Sequence, residues 1–209
     1  MKKLFLLAAS AIALTGCKLE FSDNGNLDEG FSDGDDRQPR VVEYFEGDTI
    51  VTEGHIKHTL TFHDDGEGNQ KNVTTFDEIK SVMNDADSFV TNVENFANVG
   101  QFHALKVGHV TESIDGGLKF TFSSTISAVE IVAQPRYAVV YSGLATTTTI
   151  DTNVAVNVNG SKYVRINSNF NDADSITPTT AKFNVSNINT LDINVVFQRI
   201  EILQINVYE

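Results

Sequence analysis

The chain has 209 residues, of which 28 are acidic and 15 are basic, so its formal net charge is −13. A surface this acidic repels DNA and anionic lipid headgroups, and nucleic acid is therefore excluded as an expected partner. The only cysteine has no partner for an internal disulfide, so a hydrophobic core has to supply the stability.

The first seventeen residues combine the features of an export signal with that cysteine. Lys2 and Lys3 precede an apolar run, residues 4–13, which is too short to span a bilayer as a helix. The sequence Leu14-Thr15-Gly16-Cys17 resembles a bacterial lipobox, in which the cysteine sulfur is lipidated and the preceding bond is then cut. This resemblance implies that residues 1–16 are a signal peptide and that lipid on Cys17 anchors the protein to the extracytoplasmic face of a cell membrane. The alternative is an ordinary signal peptide that contains a cysteine by chance.

Residues 17–39 are rich in glycine, serine and acidic side chains and have no hydrophobic period. Such a composition predicts a disordered, lipidated tether, followed by a folded domain over residues 40–209. The aspartates of residues 33–36 lack the alternating ligands, the glycine and the closing glutamate of an EF-hand loop. A calcium loop of that type is therefore not expected in the tether.

One helix is predicted from its start signal. Thr75 and Glu78 have the spacing of a capping box, in which each side chain accepts a hydrogen bond from the backbone of the other. Phe76, Ile79 and Val82 follow at helical spacing, and the helix should end near residues 84–85. Residues 88–99 fit either a helix or a strand.

Alternating apolar and polar residues predict strands in most of the remaining chain. Asn159-Gly160 is a strong hairpin signal, and the inward-facing positions of the last strand change parity, as at a bulge or in a strand buried on both faces. The fold class predicted from this pattern is mainly β, an antiparallel β-sandwich with one short helix. The predicted strands cover residues 41–45, 49–51, 56–62, 118–122, 127–133, 137–142, 154–158, 162–166, 182–185, 191–197 and 200–207.

The order of five of these segments resembles a jelly-roll module found in cell-surface and secreted proteins of mollicutes and Gram-positive bacteria, where it is sometimes attached to extracellular nucleases. The resemblance covers about residues 55–209 and implies a galactose-binding-like sandwich. It transfers no catalytic residue to this chain. The segments are residues 104–108, 117–122, 129–133, 156–160 and 199–205.

No hydrolase elbow, phosphate-binding loop, dinucleotide fingerprint or zinc-protease helix is present, so neither an enzyme nor a cofactor is predicted. His55, His58 and His63 could be read as zinc ligands. However, strand alternation would point His58 away from the other two, and His55 would lie roughly 26 Å from His63 at 3.3 Å per residue. A zinc site is therefore not predicted.

The pentapeptide Asn-Asp-Ala-Asp-Ser occurs twice, at residues 84–88 and 171–175. Its aspartates, Asp85, Asp87, Asp172 and Asp174, offer the hard oxygen ligands that calcium prefers. Asn, Asp and Ser are equally typical of turns and caps. No metal site is predicted, and calcium binding stays an alternative.

Aromatic residues give the remaining indication of function. The chain has no tryptophan, but Tyr137, Tyr141 and Tyr163 could stack against sugar rings, although their strand positions favour packing. The function predicted from these features is that of a membrane-anchored bacterial lipoprotein displaying a binding or adhesion module, for example for carbohydrate. The alternatives are a structural envelope lipoprotein without a dedicated ligand and an extracytoplasmic hydrolase.

Replacement of the lipobox cysteine tests the anchor. Cys17→Ser should leave the protein unprocessed or release it from the membrane, because stable anchoring needs two or more buried acyl chains. Detergent partitioning and mass spectrometry of the N-terminus measure the two effects. A Cys17→Ser protein that is still cut before residue 17 and still partitions into detergent would contradict the lipobox interpretation.

Overall fold

Twelve strands and one helix account for most of the described chain. The computed structural model describes residues 42–63, 71–101, 103–109, 114–135, 154–166 and 178–209, so Cys17, the signal peptide and the tether lie outside it. Within these ranges no helix is long and apolar enough to cross a membrane. The elements are β1 (Tyr44–Phe45), β2 (Lys57–Phe62), β3 (Lys71–Asn72), α1 (Phe76–Val82), β4 (Met83–Asp85), β5 (Val90–Ala97), β6 (Val99–Gln101), β7 (Leu105–Gly108), β8 (Gly116–Pro135), β9 (Ala155–Val158), β10 (Tyr163–Arg165), β11 (Thr179–Val196) and β12 (Arg199–Tyr208).

The two longest strands, β8 and β11, pair with each other antiparallel over most of their lengths. The first part of β11 pairs with the last part of β8, and the last part of β11 pairs with the first part of β8. The register shifts between Asn184 and Thr190, where the pairing is irregular. Because side chains alternate along a strand, such an irregularity lets one strand change direction and serve two halves of a fold.

The other strands join one of two half-sheets. In the first, β5 pairs with the start of β8. The end of β11 pairs with β9, β9 pairs with β10, and β10 pairs with β1. In the second, β12 pairs with the end of β8 and also with β2 and β7. Both half-sheets contribute to one hydrophobic core. The fold is therefore mainly β and sandwich-like, as predicted, and all its strand pairs are antiparallel except β1–β10.

Two local predictions are confirmed. Glu78 donates its backbone N–H to Thr75 Oγ1 at 3.2 Å, and Glu78 Oε2 accepts the Thr75 N–H at 3.1 Å, which completes the capping box. Asn159 and Gly160 have φ of 49° and 71°, and the Ser161 N–H donates to the Val158 carbonyl at 2.9 Å. Positive φ at both central residues is what a type I′ hairpin turn requires, and it joins β9 to β10.

Some predicted strand boundaries were wrong. Residues 118–122 and 127–133 are parts of β8, and residues 182–185 and 191–197 belong largely to β11. The polar residues between them, which look like turns in the sequence, instead form the irregular middle of each long strand. Residues 49–51 are not a strand, whereas the ambiguous residues 88–99 contain β5.

The last strand is buried along most of its length. Its pairing with β8 shifts register between Ile202 and Gln204, which explains the parity change seen in the sequence. Before the shift Glu201 lies opposite Gln134, and after it Asn206 lies opposite Glu130. Of the two alternatives predicted for this strand, the bulge is therefore confirmed, and it keeps polar side chains aligned on one face of the second half-sheet.

Glycines allow the backbones of β7 and β8 to approach closely. A Cβ atom added to Gly116 would lie 2.1 Å from the backbone nitrogen of Gly108 and 2.4 Å from its Cα. Gly108 itself has φ of 104°, and an added Cβ would lie 2.2 Å from the Gln198 carbonyl oxygen. Any larger residue at either position has to displace backbone, because no flexible side chain is there to move.

Gly116→Ala should therefore destabilise the protein severely, by roughly 3 kcal/mol or more, since overpacking against backbone has no cheap relaxation. Urea unfolding at neutral pH measures the change in the free energy of unfolding. Gly54→Ala is a control for backbone strain without a steric clash, because Gly54 has φ of 82° and nothing within 4 Å of its added Cβ; it should cost only roughly 1–2 kcal/mol. Equal effects of the two substitutions would show that the Gly108–Gly116 contact does not constrain the fold.

Candidate functional site

An open groove lies between the tip of the β9–β10 hairpin and the irregular middle of β11, and we call it the hairpin groove. Its volume is about 300 Å³, at the small end of the range for ligand pockets. None of the side chains that line it is charged. The apolar ones are buried or half-buried and most of the polar ones are exposed, which gives an apolar floor and a polar rim. The lining residues are Val158, Asn159, Gly160, Ser161, Asn184, Val185, Ser186, Ile188 and Thr190.

Two asparagines on the rim are held in place by the fold. Asn159 Oδ1 accepts the Asp192 N–H at 2.9 Å. Asn184 Nδ2 donates to the Thr49 carbonyl at 3.1 Å, and the Asn184 N–H donates to Asp48 Oδ2 at 2.7 Å. Among the described residues these bonds leave Asn159 Nδ2 as a free donor and Asn184 Oδ1 as a free acceptor. The groove therefore presents oriented amide groups without charge.

The tyrosines proposed as sugar-stacking residues are only partly described. Tyr137 and Tyr141 lie outside the described residues, whereas Tyr163 is half-buried on β10. Tyr163 is paired with Tyr44 of β1, and the next pair, Phe45 and Val164, faces the core. Alternation along the strands therefore places Tyr163 and Tyr44 on the outer face, not in the core.

Two neighbours of Tyr163, Tyr44 and Arg165, were not among the site residues predicted from the sequence. Tyr44 was treated only as part of a strand, and the guanidinium of Arg165 lies 4.1 Å from the centre of the Tyr44 ring. We call Tyr44, Tyr163 and Arg165 the aromatic platform. Only the pairing of β1 with β10, which the sequence does not reveal, brings the three residues together.

The histidines are arranged differently from the strand-based prediction. His55 precedes β2, so the alternation of that strand does not apply to it, and its Nδ1 lies against the Glu209 carbonyl oxygen. His58 also reaches Glu209, with 3.3 Å between Nε2 and Oε1, while its Nδ1 lies 2.9 Å from Asp87 Oδ2. His63 is exposed. Within the described ranges no group of three His, Cys, Asp or Glu side chains is placed to hold a metal ion.

His58 also belongs to a stack of rings that connects the two half-sheets. Its imidazole lies parallel to the Phe89 ring, with 3.8 Å between centroids, and Phe89 stacks on Phe122 at 5.1 Å. Ser127 Oγ, 3.3 Å from His55 Nδ1, donates to the Tyr208 carbonyl at 3.1 Å. Both histidines are therefore part of the packing and hydrogen bonding around the end of β12.

The first copy of the acidic pentapeptide forms a turn. Asp85 Oδ2 accepts the Val90 N–H at 2.7 Å, its carbonyl accepts the Ser88 N–H at 3.1 Å, and Asp87 is the partner of His58. This is the turn-forming role that the sequence allowed as the alternative to calcium. The second copy, with Asp172 and Asp174, lies outside the described residues.

A polar network crosses the outer face of the second half-sheet. Glu130 Oε2 accepts hydrogen bonds from Asn206 Nδ2 and from the Tyr208 hydroxyl, both at 2.9 Å. Burial by itself would raise the pKa of Glu130, but these bonds and the charges of Lys182 and Lys57 lower it. Burial, the hydrogen bond to Glu130 and its negative charge together raise the pKa of Tyr208 to about 12.

Tyr208 should therefore ionise at a higher pH than the ordinary tyrosine pKa of 10. The neutral Tyr208 is stabilised in the folded state, so its contribution to stability is complete below pH 10, the ordinary value, and is lost as the pH rises through about 12. Ultraviolet absorbance of the phenolate measures the titration. Glu130→Gln should lower the pKa of Tyr208, and Tyr208→Phe should remove the late step. A wild-type titration in which every tyrosine ionises near pH 10 would contradict this assignment.

Comparisons with known proteins do not identify relatives of this chain. No family model, no curated protein and no solved structure shows a significant match to it. The resemblances to a lipobox and to a galactose-binding-like jelly roll therefore stay predictions from the residues that suggest them. The hairpin groove and the aromatic platform are supported by their own geometry alone.

Proposed function

We propose that the protein is a membrane-anchored bacterial lipoprotein whose β-sandwich-like domain binds a neutral carbohydrate in the hairpin groove. The observation that carries this proposal is the combination of an apolar floor, oriented amide groups and an uncharged rim in a concave surface. Ligand sites in proteins usually combine an apolar lining with a few fixed polar groups.

A sugar ring matches this lining chemically. Its C–H groups can lie on the half-buried Val185 and Ile188, while its hydroxyls can accept from Asn159 Nδ2 and donate to Asn184 Oδ1. Both amides are already fixed by hydrogen bonds to the backbone, so little side-chain entropy is lost when a ligand binds. An uncharged rim on a chain of net charge −13 also favours a neutral ligand over an anionic one.

The anchor and the domain have complementary roles in this proposal. Lipid on Cys17 holds the chain at the membrane, and the acidic residues 17–39 act as a spacer that keeps the domain in solution near the surface. Tethering raises the effective concentration of the domain near glycans on the same or a neighbouring envelope. A weak individual site is then sufficient for adhesion when many copies are displayed.

Glycan binding by the mature chain, made soluble by Cys17→Ser, tests the groove. Binding of one or more neutral glycans is expected on an array, with affinity confirmed by calorimetry. The double variant Ser186→Ala/Thr190→Val removes two rim hydroxyls with little change in volume and should weaken binding about tenfold, because each lost hydrogen bond contributes roughly 0.5–1.5 kcal/mol.

Thr180→Val is the matched control, since Thr180 is an exposed threonine of the same strand that does not line the groove. It should leave the affinity unchanged. The proposal fails if the control and the double variant weaken binding equally. The absence of binding to any neutral glycan would instead favour a structural envelope lipoprotein without a ligand.

A further inference from the structure

Arg165 differs in its surroundings from four lysines of the described chain. Lys80, Lys119 and Lys182 have carboxylate oxygens 2.6 Å, 3.2 Å and 3.6 Å away, and Lys162 is paired with Glu43. In the part of the chain that the structure describes, Arg165 has no carboxylate within ion-pair distance, and its guanidinium contacts the Tyr44 ring. Arg165 is exposed, so its positive charge is not neutralised by any of the described residues.

The guanidinium carbon of Arg165 lies over the Tyr44 ring, 4.1 Å from its centre, and this contact restricts the side chain. A guanidinium that lies over an aromatic ring keeps its N–H groups free, because they point outward in its own plane. These donors form a planar fork that matches the two oxygens of a carboxylate. The contact with Tyr44 therefore prepares Arg165 to bind an anion, since the side-chain entropy has already been lost on folding.

The neighbouring tyrosines indicate what kind of molecule would carry the anion. Tyr44 and Tyr163 are directly paired on adjacent strands, so their rings are on the same face and about 5 Å apart at the backbone. Each of these side chains combines an aromatic ring with a hydroxyl. A sugar ring that bears a carboxylate has the C–H groups, the hydroxyls and the charge to contact all three residues.

We propose that the aromatic platform is a second binding site, separate from the hairpin groove, which takes the carboxylate-bearing residue of an acidic carbohydrate. Arg165 binds the carboxylate through its in-plane N–H groups, and Tyr163 contacts the ring and its hydroxyls. The site does not depend on the neutral-glycan function of the groove, because the two share no residue. The net charge of −13 weakens binding of long anionic polymers, so a single acidic sugar is the appropriate probe.

The test is a titration of the mature chain carrying Cys17→Ser with galacturonate, followed by nuclear magnetic resonance. The side-chain signals of Arg165 and the ring signals of Tyr44 and Tyr163 should shift and saturate. The methyl ester of galacturonate, which lacks the charge, should bind at least tenfold more weakly. Equal affinity for the acid and the ester would overturn the proposal.

Three variants separate the platform from general electrostatic attraction. Arg165→Gln should lower the affinity for galacturonate at least tenfold, and Arg165→Lys should not restore it, because an ammonium cannot present the fork. Lys162→Gln, which removes a neighbouring paired cation, should have little effect. The proposal is also overturned if Arg165→Gln retains wild-type affinity, or if Lys162→Gln weakens binding as much.

The groove variant Ser186→Ala/Thr190→Val distinguishes the two proposals. It should lose neutral-glycan binding and keep its affinity for galacturonate, whereas Arg165→Gln should show the reverse. A galacturonate affinity that falls with the groove variant and not with Arg165→Gln would place the acidic sugar in the groove and reject the platform as its site.

Discussion

The pairing of β8 with β11 is the interaction on which the rest of the structure depends. Each strand takes part in both half-sheets, so their hydrogen bonds join the two halves and fix the positions of β5, β9 and β12. The chain has no disulfide to do this work. A sandwich-like fold of this kind is therefore held together by continuous backbone pairing and by the core that both halves enclose.

The irregular middle of β11 links this architecture to the hairpin groove. The register of β11 against β8 shifts within residues 184–190, and five residues of this segment line the groove together with the tip of the β9–β10 hairpin. Asn187 has φ of 46°, a conformation that asparagine tolerates better than most residues. The same departure from regular pairing that allows the strand to serve two halves thus also creates the concave surface.

Local features of the fold could be predicted from the sequence, because they depend on neighbouring residues. The Thr75–Glu78 cap and the Asn159-Gly160 turn need only a few side chains and the intrinsic preferences of the backbone. The length of β8 could not be predicted, since polar residues near position 124 resemble a turn. Only their pairing partners, which are distant in the sequence, keep them in a strand.

The candidate sites could be predicted even less well, for the same reason. The groove combines residues 158–161 with residues 184–190, and the platform combines β1 with β10 across more than one hundred residues. Tyr163 was singled out from the sequence, but its position on the outer face depends on the hairpin register. The relative positions predicted for His55 and His58 were wrong, because strand alternation was applied to His55, which precedes β2.

The polar network around Glu130 and the aromatic platform show how two similar clusters of side chains can have different roles. The partners of Glu130 lie on β12 and β11, the two strands that pair with the end of β8. Asn206 and Tyr208 donate hydrogen bonds to it, and Lys182 supplies the counter-charge. A buried network whose groups are satisfied by one another stabilises the sheet and offers little to a ligand. Arg165 contacts Tyr44, yet no carboxylate of the described residues pairs with its charge. On an acidic surface, a cation that is oriented but not neutralised favours recognition of an anion over a purely structural role.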